Sequence, residues 1–146
     1  MKVSSILSTK GRTIISVRPT QTIREAVVLL AKYRIGALVV LDENGRLAGI
    51  LSERDIIWKT AENEAIFDLP VSEVMTQNVI TGLPQDEIMT VAHVMTERRF
   101  RHMPIMEGGR LVGIISIGDV LKLQRDYYRG EIDTFETQML AEHTLK

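Results

Sequence analysis

Residues 3–55 and 71–119 carry one pattern twice. Val3-Ser4-Ser5-Ile6-Leu7 opens the first copy and Val71-Ser72-Glu73-Val74-Met75 the second, and the copies close on GRLAGILSERD (45–55) and GRLVGIISIGD (109–119). The offset is 68 residues between Val3 and Val71 but 64 between Asp55 and Asp119, so short insertions separate the copies. Each copy is one supersecondary unit with an apolar face that it cannot bury alone, and the natural cover for that face is its twin. A pseudo-symmetric pair is therefore expected, with repeat one in residues 1–60, a linker at 61–70, repeat two in 71–123 and a further element at 124–146.

Composition narrows the class. A chain of 146 residues that is 45% apolar can bury one shared core. The formal net charge is −1 with both signs scattered, so the basic stripe needed for nucleic-acid binding is missing. There are no cysteines, which removes disulfides and thiolate metal sites, and no long apolar run near the N-terminus suggests a signal peptide or membrane span. The expectation is a soluble cytoplasmic protein with no membrane contact.

The repeats predict the same elements in the same order. Thr22-Ile23-Arg24-Glu25 fits a capping box, and Ile23, Ala26, Val27 and Leu30 then follow the stripe of a half-buried helix. In repeat two, Asp86 or Glu87 starts the matching helix, with Ile88, Val91, Ala92 and Met95 at the same spacing. Two apolar runs joined by Asn44-Gly45 in one copy and Gly108-Gly109 in the other predict a hairpin in each. Pro104 would remove a ladder hydrogen bond, so its strand should be an edge or begin close to that residue.

Each copy ends Gly-apolar-apolar-Ser-x-x-Asp. Ser52 with Asp55, and Ser116 with Asp119, have the spacing of a capping box that uses Asp in place of Glu, worth roughly 0.5–2 kcal/mol as a cap. The glycines before them, Gly49 and Gly113, allow a ligand or a backbone to approach, and the helix N-terminus that follows is a natural anion site. Cap and ligand site are both open to these pairs.

Two tandem units of strand, helix, strand, strand and helix, each closing on this signature, resemble the CBS domain pair, the family named for cystathionine β-synthase, over residues 1–123 or so. The resemblance implies an α/β fold of the α+β type, with two units packed sheet to sheet and two clefts for adenosine-containing nucleotides. It places Asp55 and Asp119 on the ribose hydroxyls and Ser52 and Ser116 near ribose and phosphate. The adenine is expected against Thr13, Ile14, Ala37 and Leu38 in the first cleft and against Asn78, Val79, Met103 and Pro104 in the second.

Arg54 and Arg101 can grip a phosphate with a planar fork, whereas Arg98 and Arg99 read as cations at a helix C-terminus. His102 can orient a phosphate or simply end a strand. The repeats differ here, Glu53-Arg54 becoming Ile117-Gly118 and Gly36 becoming Arg101, so unequal clefts should bind unequal ligands. AMP is the expected ligand, with NAD and ATP as further candidates. His93, His102 and His143 lack metal-ligand spacing, so no metal site is expected, and no nucleophile elbow is present.

From Leu123 to His143, Tyr128, Ile132, Phe135, Met139 and, less regularly, Leu140 keep a helical spacing that marks an amphipathic helix, with a bend allowed at Gly130. It either packs on its own domain or joins a homodimer. The function expected is a non-enzymatic nucleotide sensor acting on an unidentified target protein. The alternatives are a small nucleotide-processing enzyme with Asp55 or Asp119 as base, and a dimerisation domain without ligand.

Overall fold

The computed structural model describes residues 1–144. Its order is α1 (Val3–Lys10), β1 (Ser16–Val17), α2 (Ile23–Tyr33), β2 (Ala37–Leu41), β3 (Leu47–Ser52), α3 (Glu53–Glu62), α4 (Ile88–Arg98), β4 (His102–Glu107), β5 (Arg110–Ser116) and α5 (Ile117–Thr144). The α/β character and the two hairpins follow the expectation. β1 pairs parallel to β2 and β2 antiparallel to β3, while β4 and β5 form the second hairpin.

Turn chemistry sets the hairpins apart. Gly108 and Gly109 both take positive φ (58° and 76°), the twist that a tight two-residue connection requires. The first hairpin uses a longer loop over 42–46, where the Asp42 carboxylate accepts from the amides of Asn44 and Arg46. Pro104 is the third residue of β4. Its carbonyl accepts from the Gly82 amide at 3.0 Å, and the Gly82–Ile105 bridge is what stands in for a third strand beside β4. The missing proline N–H thus falls on a sparsely paired edge.

The capping box expected at α2 is half formed. The Thr22 hydroxyl accepts from the Glu25 amide, but the Glu25 carboxylate takes the Gln21 side-chain amide instead of reaching back. Both α2 and α4 end on a left-handed arginine, Arg34 (φ 51°) and Arg99 (φ 58°), a stop that carries no glycine to announce it.

The repeats exchange their opening segments. Val3, Ile6 and Leu7 of α1 pack with Ile88, Met95 and Ile105 of repeat two, whereas Val71 packs with Ile23, Leu38 and Leu51 of repeat one. Backbone bonds fix both exchanges: Val3 N donates to Asp86 O, and Val71 N to Gln21 O at 2.7 Å. Each fully buried aliphatic side chain exchanged this way contributes roughly 1.5–3 kcal/mol. Residues 61–70 also enter the first core, through Ile66 and Leu69. This crossing explains the signature glycines. A Cβ on Gly49 would lie 2.7 Å from the Thr76 carbonyl oxygen, and one on Gly113 would lie 2.6 Å from Leu7 Cδ2. It is the other repeat's chain that approaches here.

The register also locates the insertions. Val17 pairs with Val40 as Gly82 bridges Ile105, so an offset of 65 already holds at the first strand and three residues have been gained before it. Repeat two spends its opening on a single 3₁₀ turn, Val71–Glu73, whereas repeat one builds the eight-residue α1 ending at Lys10. The expected C-terminal helix is present, but it does not begin near 124: α5 runs as one 28-residue helix from the signature through Gly130. Its far half stands clear of the body, with Ile132 58% and Phe135 62% exposed, so it does not pack back on its own domain.

Candidate functional site

The Ser-Asp pairs fold alike. Ser52 N donates to Asp55 Oδ2 at 2.9 Å and Asp55 N to Ser52 Oγ at 3.2 Å; Ser116 N donates to Asp119 Oδ2 at 2.8 Å and Asp119 N to Ser116 Oγ at 3.1 Å. Both are complete capping boxes that start α3 and α5. What surrounds them differs.

Around Asp55 lies a cleft of about 290 Å³ built from both repeats. Repeat one supplies Gly36, Ile50, Ser52, Arg54 and Asp55, and repeat two supplies Asn78, Val79, Arg101 and His102. The exchange at Gly49 causes this, since the Ile50–Thr76 bridge carries the strand entry of repeat two across the first signature. Asp55 Oδ2 is engaged by the cap, and Oδ1 faces the Thr76 hydroxyl at 3.5 Å, the limit of a hydrogen bond. That oxygen keeps accepting capacity toward the cleft.

Seven of the expected residues therefore meet in one place, Ser52, Arg54, Asp55, Asn78, Val79, Arg101 and His102, which corrects the expected pairing: Asn78 and Val79 join the first signature and not the second, because the strand entry of repeat two crosses at Ile50. The others lie elsewhere. Ala37, Leu38, Met103 and Pro104 are buried strand residues, with the Leu38 and Met103 side chains in the two cores. Thr13 is exposed, and Ile14 lines a separate groove between the hairpin loops beside Leu41 and Met106. The register also puts Leu38 opposite Leu51 and Met103 opposite Ile115, so Ala37-Leu38 corresponds to His102-Met103.

Residues that the sequence left out complete the cleft. Thr76, Ile80, Phe100 and Trp58 line it, together with Arg98 and Arg99. These two arginines do sit at the C-terminus of α4, as expected, but they face the cleft as well. Arg54 donates to the Arg99 carbonyl at 3.3 Å and lies 5.7 Å over the Trp58 ring, two contacts that fix its guanidinium. The lining combines the guanidiniums of Arg54, Arg98, Arg99 and Arg101 with the carboxylates of Glu53 and Asp55 and the apolar side chains of Val79, Ile80 and Phe100.

His102 stands where the sheets meet. Its Cε1 would be 3.1 Å from a Cβ on Gly36, so glycine there makes room for the imidazole. Burial first, then Lys10 and Arg101, push its pKa below the ordinary 6.5, against the opposing pull of Glu53 and Asp119.

Asp119 has a different neighbour. Lys10 Nζ donates to its Oδ2 at 2.7 Å and to the Ile114 carbonyl at 3.0 Å. Burial alone would raise this carboxyl, but the Lys10 ammonium and the Ser116 amide and hydroxyl hold it below the ordinary carboxylate range. Among the described residues no cluster of histidines and carboxylates has the makings of a metal site, and no helix is long and apolar enough to cross a membrane.

A paired α/β body whose two units share a signature cleft defines a class, and known proteins of that class match this chain. The CBS domain profile matches residues 3–61 and 71–126, so the chain belongs to the CBS domain family. The CBS domain-containing protein YhcV of Bacillus subtilis is 35% identical over 118 residues, 81% of this chain and 84% of that protein. A CBS-domain containing protein of Agrobacterium tumefaciens has a crystal structure with a TM-score of 0.82 at 41% identity, covering 84% of this chain and 92% of that one. A CBS domain protein of Pyrobaculum aerophilum, complexed with AMP, superposes with a TM-score of 0.73 at 31% identity, covering 82% and 89% of the two chains.

Proposed function

We propose that this protein is a regulatory module that binds an adenine nucleotide, AMP before NAD or ATP, in the cleft around Asp55. The observation that carries the reading is the meeting of the first repeat's Ser52–Asp55 signature with the second repeat's Asn78-Val79 and Arg98–His102 segments in one cleft. Asp55 Oδ1 accepts from the ribose diol. The base lies against Val79 and Ile80, where backbone groups read its edge, and the guanidiniums of Arg98, Arg99 and Arg101 receive the phosphate. The AMP complex of the Pyrobaculum aerophilum relative supports the ligand class.

A ligand in this position touches both repeats at once. Its binding energy therefore favours whichever arrangement of the units closes the cleft, and that arrangement is the signal passed to a partner protein. The reaction is binding without turnover, because the cleft holds no activated nucleophile with a positioned base. Titration calorimetry with AMP, adenosine and 2′-deoxy-AMP tests the reading: AMP should bind more tightly than either, and equal affinity for all three would remove the ribose and phosphate roles.

The exposed stripe of α5 is the surface assigned to a homodimer. Tyr128, Ile132, Phe135 and Met139 alternate spacings of four and three, the seam of a helix that pairs with another. Ile132→Glu with Phe135→Glu should lower the mass seen by light scattering from dimer to monomer and leave nucleotide binding intact; an unchanged mass would assign assembly to another face.

A further inference from the structure

Lys10 is the residue that makes the two signatures unlike. Ile50 and Asp55 both line the first cleft, and their counterparts in the second repeat, 64 residues on, are Ile114 and Asp119. Those two are the groups that the Lys10 ammonium bonds, at 3.0 Å and 2.7 Å. In the first cleft the Ile50 carbonyl is taken instead by the Thr76 backbone amide at 2.9 Å, and no lysine reaches Asp55 among the described ion pairs. The lysine arrives there through the three residues gained ahead of β1, which extend α1 until its last residue, Lys10, overhangs the start of α5.

We propose that Lys10 is a built-in occupant of the second signature, a latch whose ammonium takes the place a nucleotide's ribose would claim on Asp119, so that the protein holds one nucleotide per chain. The inference rests on the nucleotide reading of the Asp55 cleft and adds what sets its stoichiometry. A diol that approaches Asp119 must break a charge-assisted bond and leave the ammonium to water, whereas at Asp55 it meets an oxygen with capacity to spare. The depressed carboxyl of Asp119 agrees with a formed ion pair.

The latch is separable from the fold. The Lys10 and Asp119 side chains are 40% and 23% exposed, and partly solvated ion pairs contribute little to stability. Lys10→Met keeps the apolar stem and removes the charge. In calorimetry with AMP the wild-type protein should bind one equivalent per chain and Lys10→Met two, the second lost again in Lys10→Met with Asp119→Ala. One equivalent on both wild type and Lys10→Met would overturn the latch and leave the Asp55 reading standing. Two on the wild type would overturn it as well, as would weaker AMP binding in Lys10→Met, which would make the lysine a ligand contact. No AMP on any variant would remove the nucleotide reading and the latch together. A ligand-free check uses carbon-detected NMR: the Asp119 carboxyl should titrate at higher pH in Lys10→Met than in wild type, and an unmoved titration would show that the pair does not form in solution.

Discussion

Asp55 and Asp119 close identical capping boxes at the ends of equivalent strands, yet one faces a cleft and the other a lysine. The difference does not lie in the signature. It comes from the other repeat, whose opening segment crosses each signature: a bare backbone at Thr76 in one case, a full helix ending in Lys10 in the other. A repeat protein can thus keep its local caps symmetric and still specialise its clefts, because each site is completed by the partner copy's indels.

The largest effect should appear in binding. A carboxylate that accepts from a ribose diol makes bonds worth roughly 1.5–3 kcal/mol, so Asp55→Ala should weaken AMP binding by about tenfold to a hundredfold. Asp119→Ala should leave AMP affinity nearly unchanged, since Lys10 already holds that carboxylate. Titration calorimetry on the two variants reads the contrast directly, and equal losses would collapse the distinction between the clefts.

The glycines sharpen the comparison at the level of stability. Gly49→Ala drives a Cβ to 2.7 Å from the carbonyl of Thr76, a residue whose backbone is tied to Ile50 by two hydrogen bonds, and overpacking of this kind costs about 1–3 kcal/mol. Gly113→Ala meets the far end of Leu7 at 2.6 Å, which can rotate away at lower cost. Urea denaturation should therefore rank Gly49→Ala as the more damaging change. The reverse ranking would place the tighter crossing at the second signature.

The smallest effect concerns acid. His102 binds its proton less readily folded than unfolded, so as pH falls below about 6.5 the unfolded chain takes up more protons and the fold loses stability, the loss growing down through the lowered folded pKa. His102→Gln should flatten that part of the stability profile. A profile equally steep in the variant would assign the acid sensitivity to other groups, Asp119 among them, whose depressed carboxyl contributes stability that is lost at still lower pH.

Much of this was legible in the repeat. Two copies of Ser-x-x-Asp disclose the caps and the period of Ile88, Val91 and Met95 discloses α4; of the seven expected residues that meet around Asp55, Ser52, Asp55, Asn78 and Val79 follow from the family resemblance and Arg54, Arg101 and His102 from their own chemistry. The exchange of α1 and Val71 between cores was not legible, because Val3, Ile6 and Leu7 have an apolar pattern that fits either core equally well. The place of Arg98 and Arg99 in the cleft lining is hidden for a related reason: a cation at a helix end satisfies the dipole wherever it points, and only tertiary packing turns that end toward Asp55. Lys10 left one trace, the shift in offset from 68 to 65 before the first strand. Read with the register, that shift signals an extra helical turn at one cleft.

The unequal clefts are tested most directly by native mass spectrometry of the wild-type protein with AMP in excess. One nucleotide per chain, whether the chain flies as monomer or dimer, is the predicted mass. Two per chain filling together, or none at all, would contradict the account.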